Sequence, residues 1–310
     1  MNNPKILLVY NPKAGKCRVS QELESIITAL VSEGCQVTAC PVLVHQPVVP
    51  RQLERLASQL DGVVCCGGDG TLHHIVQLLH SQNWNLPVGY LPYGSTNDFA
   101  ASVGIGGDIA SICRRIAQMQ PRFLDLGQFG PESFSYVAAF GMFTEVSYQT
   151  PQTSKNLMGH LAYLMEGVRR LDLSKGWRAA IKADNTLLEG EFWYGSVSNS
   201  TSIGGMTVPK AEEVALDDGL FELMLVRKPQ TLAELSRLVS SLVSQRVDDE
   251  LVHFIQAKEI EFLFDQPTAW SLDGEEGPQV KEVTIRCIPN GLALLNGTQV
   301  VNPVENPENK

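Results

Sequence analysis

Short apolar runs alternate with stretches of helical period along the first part of the chain. Lys5–Tyr10 (KILLVY) is apolar after its lysine and stops at Asn11-Pro12, which predicts a buried strand entering a turn. Ser20–Val31 repeats Leu23, Ile26, Ile27 and Leu30 at helical spacing, with Gly34 as the stop. A second strand is predicted over Gln36–Val44, a second helix over Arg51–Leu60 and a third strand over Gly62–Cys66. Thr71–His80 reads as helix, Pro87–Leu91 as a fourth strand, and Asn97–Val103 and Ile109–Met119 as further helices. Strands that are apolar throughout, separated by helices, imply a parallel sheet covered on both faces. Ligands of such a sheet belong at the carboxyl ends of its strands.

From about Phe123 the period changes to that of strands. Phe123–Gln128, Ser135–Ala139, Trp177–Ala183, Glu191–Ser198, Leu220–Val226, Glu259–Phe264 and Glu282–Ile288 are rich in β-branched or aromatic residues and are separated by turn signals. Two amphipathic helices interrupt them, over Leu157–Leu171 and Leu232–Val247. The expected fold is therefore α/β plus β: a Rossmann-like α/β domain over 1–126, to which about 295–310 returns, and an antiparallel β-sandwich domain over 127–294.

Composition narrows the function. The 310 residues carry 44% hydrophobic and 19% charged side chains, enough for a buried core, and a net charge of −10. That charge argues against a nucleic-acid binder built on a broad basic surface. No stretch reaches the roughly 18–20 apolar residues that span a bilayer, and Met1–Tyr10 lacks the form of a signal peptide. The seven cysteines are odd in number and make no C-x-x-C pair, so buried free thiols in a reducing compartment are expected. The sequons at Asn199 and Asn296 are then chance matches. These features together suggest a cytoplasmic protein.

Three loops at successive strand ends carry the chemistry. Gly67-Gly68-Asp69-Gly70-Thr71 sits between a strand and a helix, where glycines admit a phosphate to the backbone and the helix offers unpaired N–H groups. An ordinary turn with a capping Asp would look similar. Asn11-Pro12-Lys13-Ala14-Gly15-Lys16 places two lysines around a glycine turn, which suits nucleotide phosphates although it is not a Walker A loop; a basic turn before an amphipathic helix is the common alternative. Pro92-Tyr93-Gly94-Ser95-Thr96-Asn97-Asp98-Phe99 brings hydroxyls, an amide and a carboxylate to the same sheet edge, where a plain helix cap is the alternative. Convergence of the three loops makes a joint anion site the stronger reading. Later in the chain, Leu216-Asp217-Asp218-Gly219-Leu220 is a turn that could hold a hard cation. The acidic turn Ser271-Leu272-Asp273-Gly274-Glu275-Glu276-Gly277 could supply a general base.

Taken in this order from Asn11 to about Gly277, these motifs resemble the diacylglycerol kinase catalytic family, in particular its bacterial soluble lipid kinases; sphingosine and ceramide kinases share the core. The resemblance implies an ATP- and Mg²⁺-dependent phosphotransferase that moves the γ-phosphoryl group to a lipid hydroxyl. It implies that Asn11, Pro12, Lys13, Gly15, Lys16, Gly67, Gly68, Asp69, Gly70, Thr71, Leu72, Gly94, Ser95, Asn97 and Glu275 bind the nucleotide. Asp69, Asp98 and Asp125 would form an acidic network for catalytic Mg²⁺, and Asp273 would accept the hydroxyl proton. Asp218, with the carbonyls of Ala215 and Leu220, would hold a structural Mg²⁺. The lipid would be taken from a membrane surface by a peripheral protein, for which a homodimer is compatible, and Leu157–Leu171 with Met142, Phe143, Met158 and Met165 is a candidate wall for an acyl chain, with a helix packed into the sandwich core as the alternative.

Departures from the family pattern are local. His73-His74 replaces the common Asn-Glu, and adjacent helical histidines make a poor metal pair. Cys40-Pro41 lies where a nucleotide-contacting Thr is usual, and Ser95 replaces a Thr while keeping the hydroxyl. Two other functions use similar parts: a kinase of a soluble substrate, such as an NAD kinase, and a catalytically silent nucleotide-binding or scaffold protein.

Overall fold

The computed structural model describes residues 3–43, 46–142, 175–208, 210–244 and 248–296. The chain divides into two compact units, the first Met1–Asp125, Ser200–Asp217 and Asn290–Lys310, the second Leu126–Asn199 and Asp218–Pro289. The first unit thus takes in a segment from the middle of the later half of the chain.

In the first unit, β1 (Lys5–Tyr10), β2 (Gln36–Pro41), β3 (Gly62–Gly67) and β4 (Val88–Pro92) form a parallel sheet in the order β2-β1-β3-β4. Leu294 continues it in parallel beside Val88. Ile6, Leu7, Leu8 and Val9 have no exposed surface, and every residue of β3 is buried. Central strands covered on both faces need side chains that are apolar at every position, which is why these runs do not alternate. Helices α1 (Ala14–Ser32), α2 (Val48–Leu56), α3 (Asp69–Ser81), α4 (Asp98–Ser102) and α5 (Ile109–Ala117) connect or follow the strands. Gly15, Lys16 and Cys17 hold left-handed conformations at the start of α1, so regular helical geometry begins beyond Cys17. The buried residues of α1 are Val19, Ile26 and Leu30, two of them on the predicted face.

Several boundaries differ from the sequence reading. The second strand ends at Pro41, although the Val42 N–H still donates to Tyr10 O at 2.8 Å just beyond it. The second helix starts earlier, at Val48, and gives way to a 3₁₀ turn at Ala57–Gln59. Of the seven cysteines, Cys17 is exposed and Cys287 half-buried, while the other five are buried and free. Asn296, within a sequon, is 1% exposed, and its amide clamps both backbone groups of Tyr90 at 2.9 and 2.7 Å. It acts as a fixed buried polar pin, and the cost of its burial is offset by those two bonds.

The second unit is antiparallel. The strands β7 (Val137–Gly141), β8 (Trp177–Ala183), β9 (Thr186–Ser198), β12 (Phe221–Arg227), β13 (Val252–Ala257) and β14 (Glu259–Leu272) pair with antiparallel register. β15 (Glu275–Leu294) pairs with β14, and β6 (Glu132–Phe134) with β5 (Arg122–Phe129). The short hairpin β10–β11 (Ser202–Ile203 and Met206–Thr207) belongs to the first unit. Phe140, Phe262, Phe264 and Trp270 form the aromatic centre of the core, with mostly edge-on and tilted ring pairs 4.9–6.1 Å apart. Sequence reasoning found only the start of β14 and the middle of β15. Polar residues at Asp265-Gln266-Pro267 and Glu275-Glu276-Gly277 break the apolar alternation there, and the register indeed shifts between Leu263 and Thr268. Helix α6 (Leu232–Ser244) matches the second predicted amphipathic stretch. The helix predicted over 157–171, with Phe143, Met158 and Met165, lies outside the described residues. Met142 is buried in a cluster with Trp193, Leu238, Leu251 and Val252. No described helix is long and apolar enough to cross a membrane.

Candidate active site

Three loops meet at the carboxyl edge of the parallel sheet. The first leaves β1: the Asn11 N–H donates to Cys66 O at 2.9 Å, and Asn11 Oδ1 accepts from Lys13 N at 3.0 Å, closing the turn. Gly15 then lies against the third loop, where an added Cβ would stand 3.3 Å from Tyr93 O. Lys13 and Lys16 are exposed. The Tyr93 hydroxyl donates to Glu22 Oε2 at 2.5 Å, which holds the Glu22 carboxyl below its ordinary pKa. Burial and that same bond push the Tyr93 phenol far up.

The second and third loops touch backbone to backbone. Tyr93 N donates to Gly67 O at 2.7 Å. A Cβ on Gly68 would lie 3.1 Å from Gly94 Cα, and one on Gly94 would lie 2.6 Å from Asn97 Oδ1 and 2.9 Å from Gly68 Cα. Only hydrogen at both positions permits this approach. Asn97 Oδ1 accepts from Gly94 N at 2.6 Å, folding the third loop on itself. Helix α3 begins after Gly68 without a side-chain cap, so its first-turn N–H groups include donors suited to an anion. Ser95 is exposed beside this cradle in sequence, Thr71 and Gly70 are half-buried, and Leu72 is packed in the core.

The carboxylates are held rather than loose. Asp69 accepts from the Tyr90 hydroxyl at 3.1 Å through Oδ1 and from the Asp98 N–H at 3.1 Å through Oδ2. It therefore ties the β3–α3 turn to the β4–α4 turn. Asp98 is 3% exposed, and its Oδ1 accepts from Ser202 Oγ at 2.6 Å and from Gly205 N at 2.8 Å. Asp125 is 1% exposed; its N–H donates to Leu216 O, and its Oδ1 accepts from Asn290 N, both at 2.9 Å. His73 is buried and His74 exposed, with their ring centroids 5.4 Å apart and the rings tilted by 59°.

Asp273 and Glu275 belong to the second unit. Asp273-Gly274 forms the two-residue turn of the β14–β15 hairpin, with φ of 51° and 81°, and Glu275 is half-buried opposite Leu272. The Asp273 carboxylate is buried and accepts three backbone N–H bonds: Ser135 at 2.7 Å, Tyr136 at 2.9 Å and Val137 at 3.1 Å. Three of the roughly four acceptor sites of a carboxylate are thus occupied by the protein. Asp218 is exposed and accepts from Leu220 N at 2.9 Å, an Asx turn, while Ala215 belongs to the first unit and is half-buried. Among the described residues no group of three or more His, Cys, Asp or Glu side chains forms a direct metal cage. A cavity of about 760 Å³ lies in the second unit around Lys182, Glu261, Leu263 and Arg286, and none of the sequence-predicted site residues lines it.

Tyr90, Ser102, Ser202, Gly205 and the Ser135–Val137 amides were not found by sequence reasoning. Ser202 lies 104 positions from its partner Asp98, a separation that only folding closes. Gly204-Gly205 between Ile203 and Met206 did carry a hairpin signal.

Three glycine-containing loops at a parallel sheet edge, joined in one chain to an antiparallel β unit, define a two-domain mixed α/β protein. The diacylglycerol kinase catalytic domain profile matches residues 5–129, and the YegS C-terminal NAD kinase beta sandwich-like domain profile matches residues 137–296. A diacylglycerol kinase of Bacillus subtilis is 27% identical over 272 residues, covering 87% of this chain and 89% of that protein. One from Staphylococcus saprophyticus is 28% identical over 273 residues, covering 87% and 88%. A crystal structure of a diacylglycerol kinase from Bacillus anthracis aligns at a TM-score of 0.76 and 20% identity, over 96% of this chain and 98% of that one, which shows the fold. The chain belongs to the diacylglycerol kinase catalytic family and is a phosphotransferase with an alcohol group as acceptor.

Proposed function

We propose that this protein is an ATP-dependent lipid kinase that transfers the γ-phosphoryl group to a hydroxyl of a lipid such as diacylglycerol. The observation that carries the reading is the contact of the Gly67-Gly68 and Gly94 backbones beside the uncapped start of α3. Such a cradle fits the phosphates of a nucleotide, and in this reading the first unit is a Rossmann-like nucleotide-binding domain. Asn11, Pro12, Lys13, Gly15 and Lys16 border it, with the two lysines as point charges for the phosphates. Gly70, Thr71, Leu72, Ser95 and Asn97 complete its shape, and Glu275 is also assigned to the nucleotide.

The carboxylates fit a Mg²⁺ carried in by the triphosphate better than a resident cage. Mg²⁺ keeps several waters and takes one or two protein carboxylates together with phosphate oxygens. In this reading Asp69, Asp98 and Asp125 hold those waters, and Asp218 with the Ala215 and Leu220 carbonyls holds a second, structural Mg²⁺. Bound Mg²⁺ supplies neutralisation of phosphate charge. Asp273 takes the proton of the lipid hydroxyl as the new O–P bond forms and the bond from Pγ to the β,γ-bridging oxygen breaks, releasing ADP. Its N–H contacts from Ser135, Tyr136 and Val137 fix its direction. The second unit presents the lipid, drawn from a membrane surface by a cytoplasmic, peripheral protein.

A soluble-substrate kinase is the second reading, favoured by the likeness of residues 137–296 to an NAD kinase-type sandwich. Radiolabelled ATP incubated with a total lipid extract, with NAD in a parallel reaction, separates the two. Label in a lipid product supports the proposal. Label in NADP alone replaces it with the soluble reading, and no label in either would leave a silent nucleotide-binding protein.

A further inference from the structure

A segment outside the three glycine loops is fastened to them by side chains. Ser202–Ile203 and Met206–Thr207 form a hairpin whose two-residue turn, Gly204-Gly205, has φ of 63° and 76°. Positive φ at both central residues is the turn that matches strand twist, so the hairpin has a defined shape. Two anchors hold it. At the first, Asp98 Oδ1 accepts from Ser202 Oγ at 2.6 Å and from Gly205 N at 2.8 Å. At the second, Ser102 Oγ and Ser200 Oγ lie 2.7 Å apart, and Thr201 N donates to Ser102 Oγ at 3.2 Å. Ser200 Oγ also donates to Ser202 O at 2.5 Å and accepts from Ser202 N at 3.2 Å, so the two anchors are joined through the Ser200–Ser202 segment.

The chain of contacts then runs back into the cradle. The Asp98 N–H donates to Asp69 Oδ2, and Asp69 Oδ1 accepts from the Tyr90 hydroxyl. A Cβ on Gly205 would lie 3.5 Å from Thr96 Cγ2, so the hairpin turn rests beside the exposed Ser95-Thr96 tip of the third loop. Asp98 is 3% exposed and Ser102 is 1% exposed, so the helix-side end of each anchor is shielded from water while the hairpin side is partly open.

We infer that the Ser202–Thr207 hairpin is a working part of the nucleotide site, and that Ser202 is a positioning residue that sets the Gly94–Asn97 loop for the phosphates by holding the Asp98 carboxylate. The inference rests on the ATP reading above. Without the Ser202 hydroxyl, Asp98 Oδ1 keeps a single partner from the hairpin, and the loop that leads into Asp98 loses its brace.

Isothermal titration of the full chain with the ATP analogue AMP-PNP and Mg²⁺ tests this, with melting temperature measured in parallel. Ser202→Ala is expected to weaken binding about tenfold, the factor equivalent to one hydrogen bond to a charged group. Ser202→Thr keeps the hydroxyl and is expected to bind within about threefold of the parent, a rescue that follows from retaining the same bond. Ser102→Ala cuts the second anchor and is expected to weaken binding by about threefold, as for one neutral hydrogen bond. A parent chain that binds no AMP-PNP overturns the ATP reading and this inference with it. A parent that binds while Ser202→Ala binds equally well, whatever its melting temperature, overturns the inference alone.

Discussion

Replacing Asp273 with Asn tests whether this carboxylate is a scaffold as well as a proton acceptor. In the folded chain it accepts from Ser135 N at 2.7 Å through one oxygen and from Tyr136 N and Val137 N at 2.9 and 3.1 Å through the other. An amide can keep only one oxygen as an acceptor, so the best arrangement of Asn retains two of these bonds and turns its NH₂ toward the Ser135 N–H. One charge-assisted bond is lost, worth about 1.5–3 kcal/mol, and a buried donor is left facing a donor. The two bonds that remain fall to neutral strength, roughly half. The sum is about 3–5 kcal/mol. Asn accepts the left-handed φ of 51° at this turn as readily as Asp, so backbone strain adds little. For a unit of this size each kcal/mol lowers the melting temperature by about 2–4 °C, so a fall of about 6–20 °C is expected. Tryptophan fluorescence reports it well, since Trp177, Trp193 and Trp270 lie in the second unit and only Trp84 in the first. Phosphoryl transfer measured well below that melting point then isolates the proton-acceptor role, for which a rate loss of about 10²–10⁴ is expected. A variant melting within about 2 °C of the parent would refute the reasoning that the three N–H bonds hold this turn.

Three further outcomes are expected. Gly94→Ala places a Cβ 2.6 Å from Asn97 Oδ1 and 2.9 Å from Gly68 Cα; it should cost about 1–3 kcal/mol of stability and at least about tenfold in kcat/KM for ATP. Gly106→Ala, where a Cβ meets nothing within 4 Å, should leave both unchanged. Burial raises the Glu222 carboxyl from 4.5 to about 7, so its contribution to stability is full below about pH 4.5 and is lost as pH rises through about 7. In chelator-containing buffer Glu222→Gln should match the parent near pH 4.5 and exceed it by about 3 kcal/mol at pH 8, measured by urea unfolding; parallel pH profiles would contradict this. Burial pushes the Cys66 and Cys113 thiols up to about 12 and raises Cys35, Cys40 and Cys65 as well. Ellman's reagent at pH 8 should therefore modify Cys17 at once and Cys287 slowly, with all seven thiols reacting only after unfolding.

Local chemistry made much of this protein legible in one dimension. β1, β3 and β4 announce themselves because a central parallel strand must be apolar on both faces, and no other common element has that signature at that length. The glycine loops are equally plain, since a backbone that must approach another backbone, or a phosphate, tolerates no side chain. Asp69, Asp98 and Asp273 stood out because they fall within the motifs that resemble the kinase family. What each carboxylate does was not readable. Asp98 reaches Ser202 and Gly205 across 104 and 107 positions, and Asp273 reaches the Ser135–Val137 amides across 136 to 138. A hydrogen bond depends on distances near 3 Å, and the partners' own neighbours in sequence carry no mark of it. The long strands β14 and β15 were hidden for a related reason: their pairing survives a register shift and polar interruptions because neighbouring strands supply the hydrogen bonds. Residue type and spacing thus determined which strands are covered and where the glycine-rich turns fall, while the carboxylate partners, the return of Ser200–Asp217 to the first unit and the reach of the late strands were decided by contacts that exist only once the chain has folded.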